Sequence, residues 1–240
     1  MKTLSLKDFF SKIDYDWKKD QETIKTICHY TKTRVNPKIT EIRLGFGMEQ
    51  TFLVKAVAEW IKAESFFEIG TGRGTACYVL ATIPSIKMIH TIDILEFNQK
   101  FATAIGYRPA NVSLKDIRDM ITTDGKNKIS FHHRRKLQFL QRNFTEQFDL
   151  AFIDGNHTDK KIILEDYNVC ESLLKESGII LWDDYDPDQF SVKEIVDDII
   201  ENNPNIDAIL VEQRGHLFSD KPMEHGKGVV LMKYGKLFNE

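Results

Sequence analysis

The chain lacks any apolar run approaching the roughly 20 residues that a membrane-spanning helix needs, so a soluble protein is expected. Cysteine is scarce: Cys28, Cys77 and Cys170 are odd in number and scattered. Each falls among apolar residues of a helix-like segment, which predicts buried free thiols and no disulfide framework. Neither sign of charge is in excess. Lys and Arg total 33, Asp and Glu 36, for a formal net charge of −3. That balance gives no general attraction to nucleic acid or to an anionic membrane. The opening residues Met1-Lys2-Thr3-Leu4-Ser5-Leu6-Lys7-Asp8 hold no apolar signal-peptide core. A cytoplasmic location follows as an expectation. No internal repeat and no low-complexity segment is present.

What is present is a chain of 240 residues, 42% hydrophobic, enough for one globular domain with some elaboration. Its organising stretch is Ser65-Phe66-Phe67-Glu68-Ile69-Gly70-Thr71-Gly72-Arg73-Gly74-Thr75-Ala76. An apolar run, a glycine turn and a helix-like run read as the first βα unit of an open α/β sheet. Glycines let the backbone turn sharply and let a ligand approach the peptide plane. The helix N-terminus behind them offers unpaired N–H groups. The spacing is G-x-G-x-G, with Thr75 where a dinucleotide fingerprint has its third glycine. Glu68 ends the strand, where a pyrophosphate site would gain nothing from negative charge. Glu-x-Gly-x-Gly-x-Gly resembles the first motif of the class I S-adenosylmethionine-dependent methyltransferases.

Before this motif, residues up to about Ile42 read as a strandless helical region. Ser5-x-x-Asp8 has the form of a capping box, and a second helix ends near Asn36-Pro37. Gly45-Phe46-Gly47 reads as a turn. Leu53, Val57, Trp60 and Ile61 recur at helical spacing between Met48 and Glu64. Two units follow: residues 1–47 as an N-terminal helical extension, and 48–240 as the main domain.

After it, Lys87–Asp93 reads as a strand ending in an acid about 20 residues past the glycines, suited to ribose hydroxyls. Asp93 has a second reading as the N-cap of a helix from Glu96 to Ile105. Ser113-x-x-Asp116 caps a short helix, and Ile129–His132 is a third strand. The cluster His132-His133-Arg134-Arg135-Lys136 falls after this strand, where the base of a bound nucleoside would lie, although so short a basic cluster is more often a solvated helix start. Phe148–Ile153 is a buried strand ending in Asp154-Gly155-Asn156-His157. A helix follows, closed by Gly178 as a C′ glycine. The strand Gly178–Trp182 ends in Asp183-Asp184-Tyr185-Asp186. Ser191-x-x-Glu194 is a capping box for the next helix. Ala208–Glu212 and Gly228–Met232 form a closing pair of strands, and the polar connection between them carries Arg214, His216 and His225.

Two adjacent carboxylates at a buried strand end are costly unless a cation or hydrogen-bond donors neutralise them. If the strands ending at Asp154 and Asp183 are neighbours, three carboxylates meet. Asp154, Asp183 and Asp184 then suit Mg²⁺ or a similar divalent ion. The alternative is that Asp183 and Asp184 cap the Ser191 helix or lie solvated.

Glu68–Gly74, Ile92-Asp93, Phe152–His157 and Leu181–Tyr185 fall in one order. Together they resemble the metal-dependent small-molecule O-methyltransferases, above all the macrocin group that methylates sugar hydroxyls, and more distantly catechol O-methyltransferase. The resemblance covers roughly residues 50–235. It implies a Rossmann-like α/β fold: seven mostly parallel strands, the last antiparallel, with helices on both faces. It implies S-adenosylmethionine held by Glu68, Gly70, Thr71, Gly72, Gly74 and Asp93. It implies a divalent metal on Asp154, Asp183 and Asp184, and a small-molecule hydroxyl as methyl acceptor. His157 stands about where the catechol enzymes have a lysine base. His157 and Asp154 are therefore both candidate bases, while a supporting hydrogen bond from His157 to a carboxylate is the other reading. A homo-oligomer is compatible with the sequence. The rival functions are an NAD-dependent oxidoreductase and a non-catalytic nucleoside-binding protein.

Overall fold

The computed structural model describes residues 1–31, 48–104, 110–134, 137–144, 147–186, 188, 190–219, 223 and 226–238. The expected helix end at Asn36-Pro37, the Gly45-Phe46-Gly47 turn, Arg135, Lys136 and His225 lie outside the described residues.

Eight strands form one sheet: β1 (Lys2–Ser5), β2 (Ser65–Ile69), β3 (Met88–Asp93), β4 (Ile129–His133), β5 (Phe148–Ile153), β6 (Leu174–Tyr185), β7 (Ile206–Glu212) and β8 (Gly228–Tyr234). Their order is β1-β7-β8-β6-β5-β2-β3-β4. Every pairing is parallel except those of β8, which runs antiparallel to both β6 and β7. This is the Rossmann-like α/β fold expected, with one correction to the strand count. The expected seven strands are eight, and the extra one comes from the region read as strandless. Lys2 to Ser5 pair with Ile209 to Glu212. Four residues carry too little periodicity to announce a strand. They become one because the edge of β7 offers unpaired backbone groups.

The alternation along each strand assigns the two faces. Phe66, Leu150, Phe152, Leu181 and Leu231 point to one side, where α1 (Leu6–Lys12), α2 (Gln21–Thr31), α3 (Glu49–Trp60), α4 (Thr75–Ala81) and α5 (Leu114–Met120) pack. Phe67, Ala151, Ile153, Trp182 and Met232 point to the other, against α6 (Leu137–Asn143), α7 (Lys160–Leu173) and α8 (Val192–Asn202). Phe66 and Phe67 are both fully buried, each contributing about 1.5–3 kcal/mol of transfer free energy. A parallel sheet needs both faces covered, and this one has them covered. Among the described residues, no helix is long and apolar enough to cross a membrane.

Local expectations fare unevenly. Ser5 and Ser113 accept from the backbone N–H groups of Asp8 and Asp116, as capping residues should. Ser191 does not cap in that way. Its hydroxyl donates to the Thr158 carbonyl at 3.1 Å, and Glu194 is drawn to Lys160. Gly178 lies inside β6, not at a helix end, because α7 stops at Leu173 and the pairing resumes at once between Phe148 and Leu174. No helix starts at Glu96 among the described residues up to 104. Asp93 Oδ1 instead accepts from Leu95 N–H at 2.8 Å, a local turn that competes with helix formation.

The chain leaves β2 toward β3 and β4 on one side, then returns to place β5 on the other. The carboxyl ends of β2 and β5 are therefore a topological switch point, where open α/β sheets bind ligands.

Candidate active site

Both β2 and β5 end at this switch point, and their backbones nearly touch. Asp154 N–H donates to the Ile69 carbonyl at 2.8 Å. Gly70 sits against that crossing with φ +98°, and a Cβ there would lie 1.8 Å from the Asp154 carbonyl oxygen. Only glycine fits, on both steric and dihedral grounds. The turn that follows opens a cavity of about 380 Å³ lined by Gly70, Gly72, Asp93, Arg134, Asp154 and His157, among others. That volume lies in the range of small-molecule sites.

The predicted cofactor residues divide into two groups. Gly70, Gly72 and Asp93 line the cavity; Glu68, Thr71 and Gly74 do not. Asp93 Oδ2 accepts from Gly72 N–H at 2.9 Å, so the acid also braces the glycine turn. Gly74, with φ +78°, forms the N-cap of α4. Glu68 and Thr71 are buried behind the turn. The Thr91 hydroxyl and the Cys77 thiol donate to Glu68 Oε2 at 2.5 and 3.0 Å, and Thr71 pairs with Thr91 at 2.6 Å.

Burial pushes the Glu68 carboxyl up to about 7, against the two side-chain hydrogen bonds that lower it. In the unfolded chain the group titrates near 4.3. Between those values the folded state holds a proton that the unfolded state releases, so stability falls as pH rises through that window, by about 4 kcal/mol. Glu68→Gln is expected to flatten this decline. Thermal melts of both proteins from pH 5 to 8 check it; parallel pH dependences would refute the assignment.

The chemistry-bearing loop begins at Asp154. Asn156 Oδ1 accepts from the backbone N–H groups of Thr158 and Asp159 at 3.0 and 2.7 Å, an Asx turn. Asp159 then caps α7. Ser191 N–H donates to the His157 carbonyl at 2.9 Å, fixing the loop against the start of α8. On the neighbouring strand, the β6–β8 register shifts between Trp182 and Tyr185, and Asp184 adopts φ +55°. A bulge with a left-handed non-glycine residue is a strained arrangement that re-aims a side chain. Here it turns Asp184 toward His157. His157 Nδ1–H donates to Asp184 Oδ2 at 2.9 Å, and Nε2 lies 4.0 Å from Asp154 Oδ1.

Asp154 follows β5 and Asp183 lies in the adjacent β6, each just past the last β5–β6 pair, Ile153 and Trp182. The three residues whose ligand atoms come within 4.8 Å of one another are, however, Asp154, His157 and Asp184. Asp183, 2% exposed, faces a cation that the sequence reading did not single out. Lys227 Nζ lies 2.6 Å from Asp183 Oδ2 and 2.6 Å from Asp184 Oδ1. The signal for it was positional: Lys227 precedes the strand that pairs antiparallel with the acid-ending one, and Gly228 lies beside Tyr185.

Burial, then the Asp183 and Asp184 charges, raise the Asp154 carboxyl well above the usual carboxylate range. Burial also raises Asp183, against the pull of Lys227. For Asp184 the burial effect is outweighed by His157 and Lys227, which hold it low. Asp183 and Asp184 share the Lys227 ammonium, and Asp183 Oδ1 is buried without a hydrogen-bond partner among the described residues. Hard oxygen donors of this kind suit a divalent cation, and Asp154 and Asp184 offer them beside His157.

A second cavity of about 540 Å³ lies on the other side of this cluster, lined by Asp184, Tyr185, Phe190, Arg214 and Lys227, among others. His157 belongs to the first cavity and Asp184 to the second.

Residues 67–185 match a family described as "Methyltransferase domain". No curated protein matches the chain. Among solved structures, the fold is similar to that of the O-methyltransferase TomG from Streptomyces achromogenes, involved in tomaymycin synthesis and solved with S-adenosylmethionine. The TM-score is 0.60 at 17% identity, over 90% of each chain. It is similar to the S-adenosylhomocysteine-bound methyltransferase PaMTH1 of Podospora anserina, at TM-score 0.57 and 16% identity, over 90% of this chain and 88% of that one. An O-methyltransferase from Bacillus cereus, in complex with S-adenosylhomocysteine, gives TM-score 0.54 at 15% identity, over 88% of each chain. At such identities the likeness is one of fold.

Proposed function

We propose that this chain, whose residues 67–185 match a methyltransferase-domain family and whose fold is similar to that of S-adenosylmethionine-binding O-methyltransferases, methylates a hydroxyl of a small molecule, assisted by a divalent cation. The observation that carries the proposal is the His157–Asp184 pair, which stands where the two cavities meet. A methyl donor in the first cavity and an acceptor in the second would face each other across it.

S-adenosylmethionine supplies a methyl group on a positively charged sulfur, which any well-placed oxygen nucleophile attacks. Asp93, at the end of β3, suits the ribose hydroxyls, and Gly70 and Gly72 leave the backbone open to the cofactor. Asp154 and Asp184 would hold the cation beside His157, and it would make a nearby acceptor hydroxyl more acidic.

The residues' own part is proton transfer and positioning. His157 Nδ1–H donates to Asp184 Oδ2, which leaves Nε2, 4.0 Å from Asp154 Oδ1, as the nitrogen that would act as base. Asp154, its carboxyl raised by burial and by the Asp183 and Asp184 charges, is the rival base. Lys227 keeps Asp183 and Asp184 charged and fixed. Most of the rate gain then comes from holding donor and acceptor in line. Two adjacent acceptor oxygens, as on a sugar or another vicinal-oxygen compound, match a cation that the protein holds with few ligands.

Calorimetric titration with S-adenosylhomocysteine, with NAD as control, tests the cofactor. Micromolar binding of the former alone is expected, and binding of NAD alone would overturn the reading. A screen of hydroxyl compounds with Mg²⁺, repeated in EDTA, tests the cation. Turnover undiminished by EDTA would remove the metal from the proposal.

A further inference from the structure

We propose that Arg134 binds the base of the cofactor and that Asp166 is a positioning residue, tying Arg134 to the loop that carries Asp154 and His157. The proposal rests on the cofactor reading above. Arg134 immediately follows β4, where Asp93 pairs with His133, so it stands next to the ribose acid on adjacent strand ends. Its side chain lines the first cavity beside Ile94 and Ile162. Ile94 is 69% exposed, an apolar surface that a planar base would cover. A guanidinium stacks on aromatic faces and donates to ring acceptors, and here it is held for that task.

What holds it is Asp166 on α7. Arg134 Nη1 lies 2.6 Å from Asp166 Oδ1, and Nη2 lies 3.2 Å from Glu165 Oε2. Asp166 is fully buried, and neither of its oxygens has a well-aligned hydrogen bond among the described residues. Arg134 supplies its compensating charge. A pair of this kind contributes little to stability that an apolar pair would not match. Its other contacts suggest what it does. A Cβ on Gly155 would lie 2.9 Å from Asp166 Oδ2, and the Asn156 backbone faces the same carboxylate. Asp166 thus presses on the middle of the 154–157 loop from below while gripping an arginine at the far end of the cavity. β4 and β5 are three strand steps apart, about 14 Å. The pair bridges that span, so filling the base end restrains the loop at the reaction end.

Wild-type, Arg134→Met and Asp166→Asn proteins are titrated with S-adenosylhomocysteine and with 5′-methylthioadenosine, which has the base and ribose but no amino acid. Arg134→Met is expected to weaken both by the same factor, about tenfold. Hydrogen exchange of the 154–159 segment is then followed at saturating 5′-methylthioadenosine. The ligand is expected to slow exchange there in the wild type and to have lost that effect in Asp166→Asn, which a merely structural role would not produce. Equal affinities in Arg134→Met, or loop protection that survives both substitutions, overturns the proposal. Wild-type protein that binds no S-adenosylhomocysteine overturns the cofactor reading, and this inference with it. If Asp166→Asn does not fold, the Arg134→Met titration and exchange data decide alone.

Discussion

His157→Ala is expected to lower kcat by about 10²–10⁴, the range for losing a positioned general base, while binding of S-adenosylhomocysteine persists. Asp184→Asn is expected to cost nearly as much. An amide in place of the carboxylate can present its NH₂ to Nδ1, which favours the tautomer with the proton on Nε2, where the base must be free. Because the two residues act as one unit, the double variant should be little worse than either single one. Added imidazole should restore part of the activity of His157→Ala and none of that of Asp184→Asn. Full activity in His157→Ala would transfer the base role to Asp154 or end this mechanism.

The second large effect is on stability. Lys227→Met removes the ammonium from two carboxylates whose residues are 2% and 5% exposed. Breaking a buried pair from one side costs about 3–5 kcal/mol, a fall in Tm on the order of 10 °C for a chain of this length. The pH dependence gives the cause away. In the wild type, Asp183 and Asp184 raise the Lys227 ammonium against its burial, so its contribution is complete at neutral pH and is lost only at strongly alkaline pH. In the variant both carboxyls lose the group that draws them down: Asp183, already raised by burial, rises further, and Asp184 loses one of the two groups that hold it low. The folded variant then takes up protons that the unfolded chain does not. Its deficit should shrink as pH falls from 8 to 5. Chemical denaturation of both proteins at those pH values measures this; a deficit that is small, or constant with pH, would show that the pair is not what holds the strand ends.

Much of the framework is written locally. The strands β2 to β8 and the glycine turn are legible because short apolar runs and Gly70, Gly72 and Gly74 constrain the backbone through their nearest neighbours. So are the acids Asp93, Asp154, Asp183 and Asp184, each marking where an apolar run stops. Where local signals compete, the sequence misleads. Asp93 looks like a helix cap and instead closes an Asx turn, and Ser191 looks like a cap and bonds Thr158.

The sequence by itself determined the order of elements, the fold class and the acids at the strand ends, since each of these depends on residues a few positions apart. The tertiary structure alone decided their partners. Lys227 reaches Asp183 across 44 residues because β8 reverses direction beside β6, and a lysine before a strand has no local mark of that neighbour. Arg134 finds Asp166 because α7 packs on the face reached from the end of β4. Asp184 turns toward His157 through a bulge whose backbone conformation no residue type in the run announces. Charge pairing acts through space, and in a folded chain spatial neighbours are set by sheet order and register, which no single stretch of sequence contains.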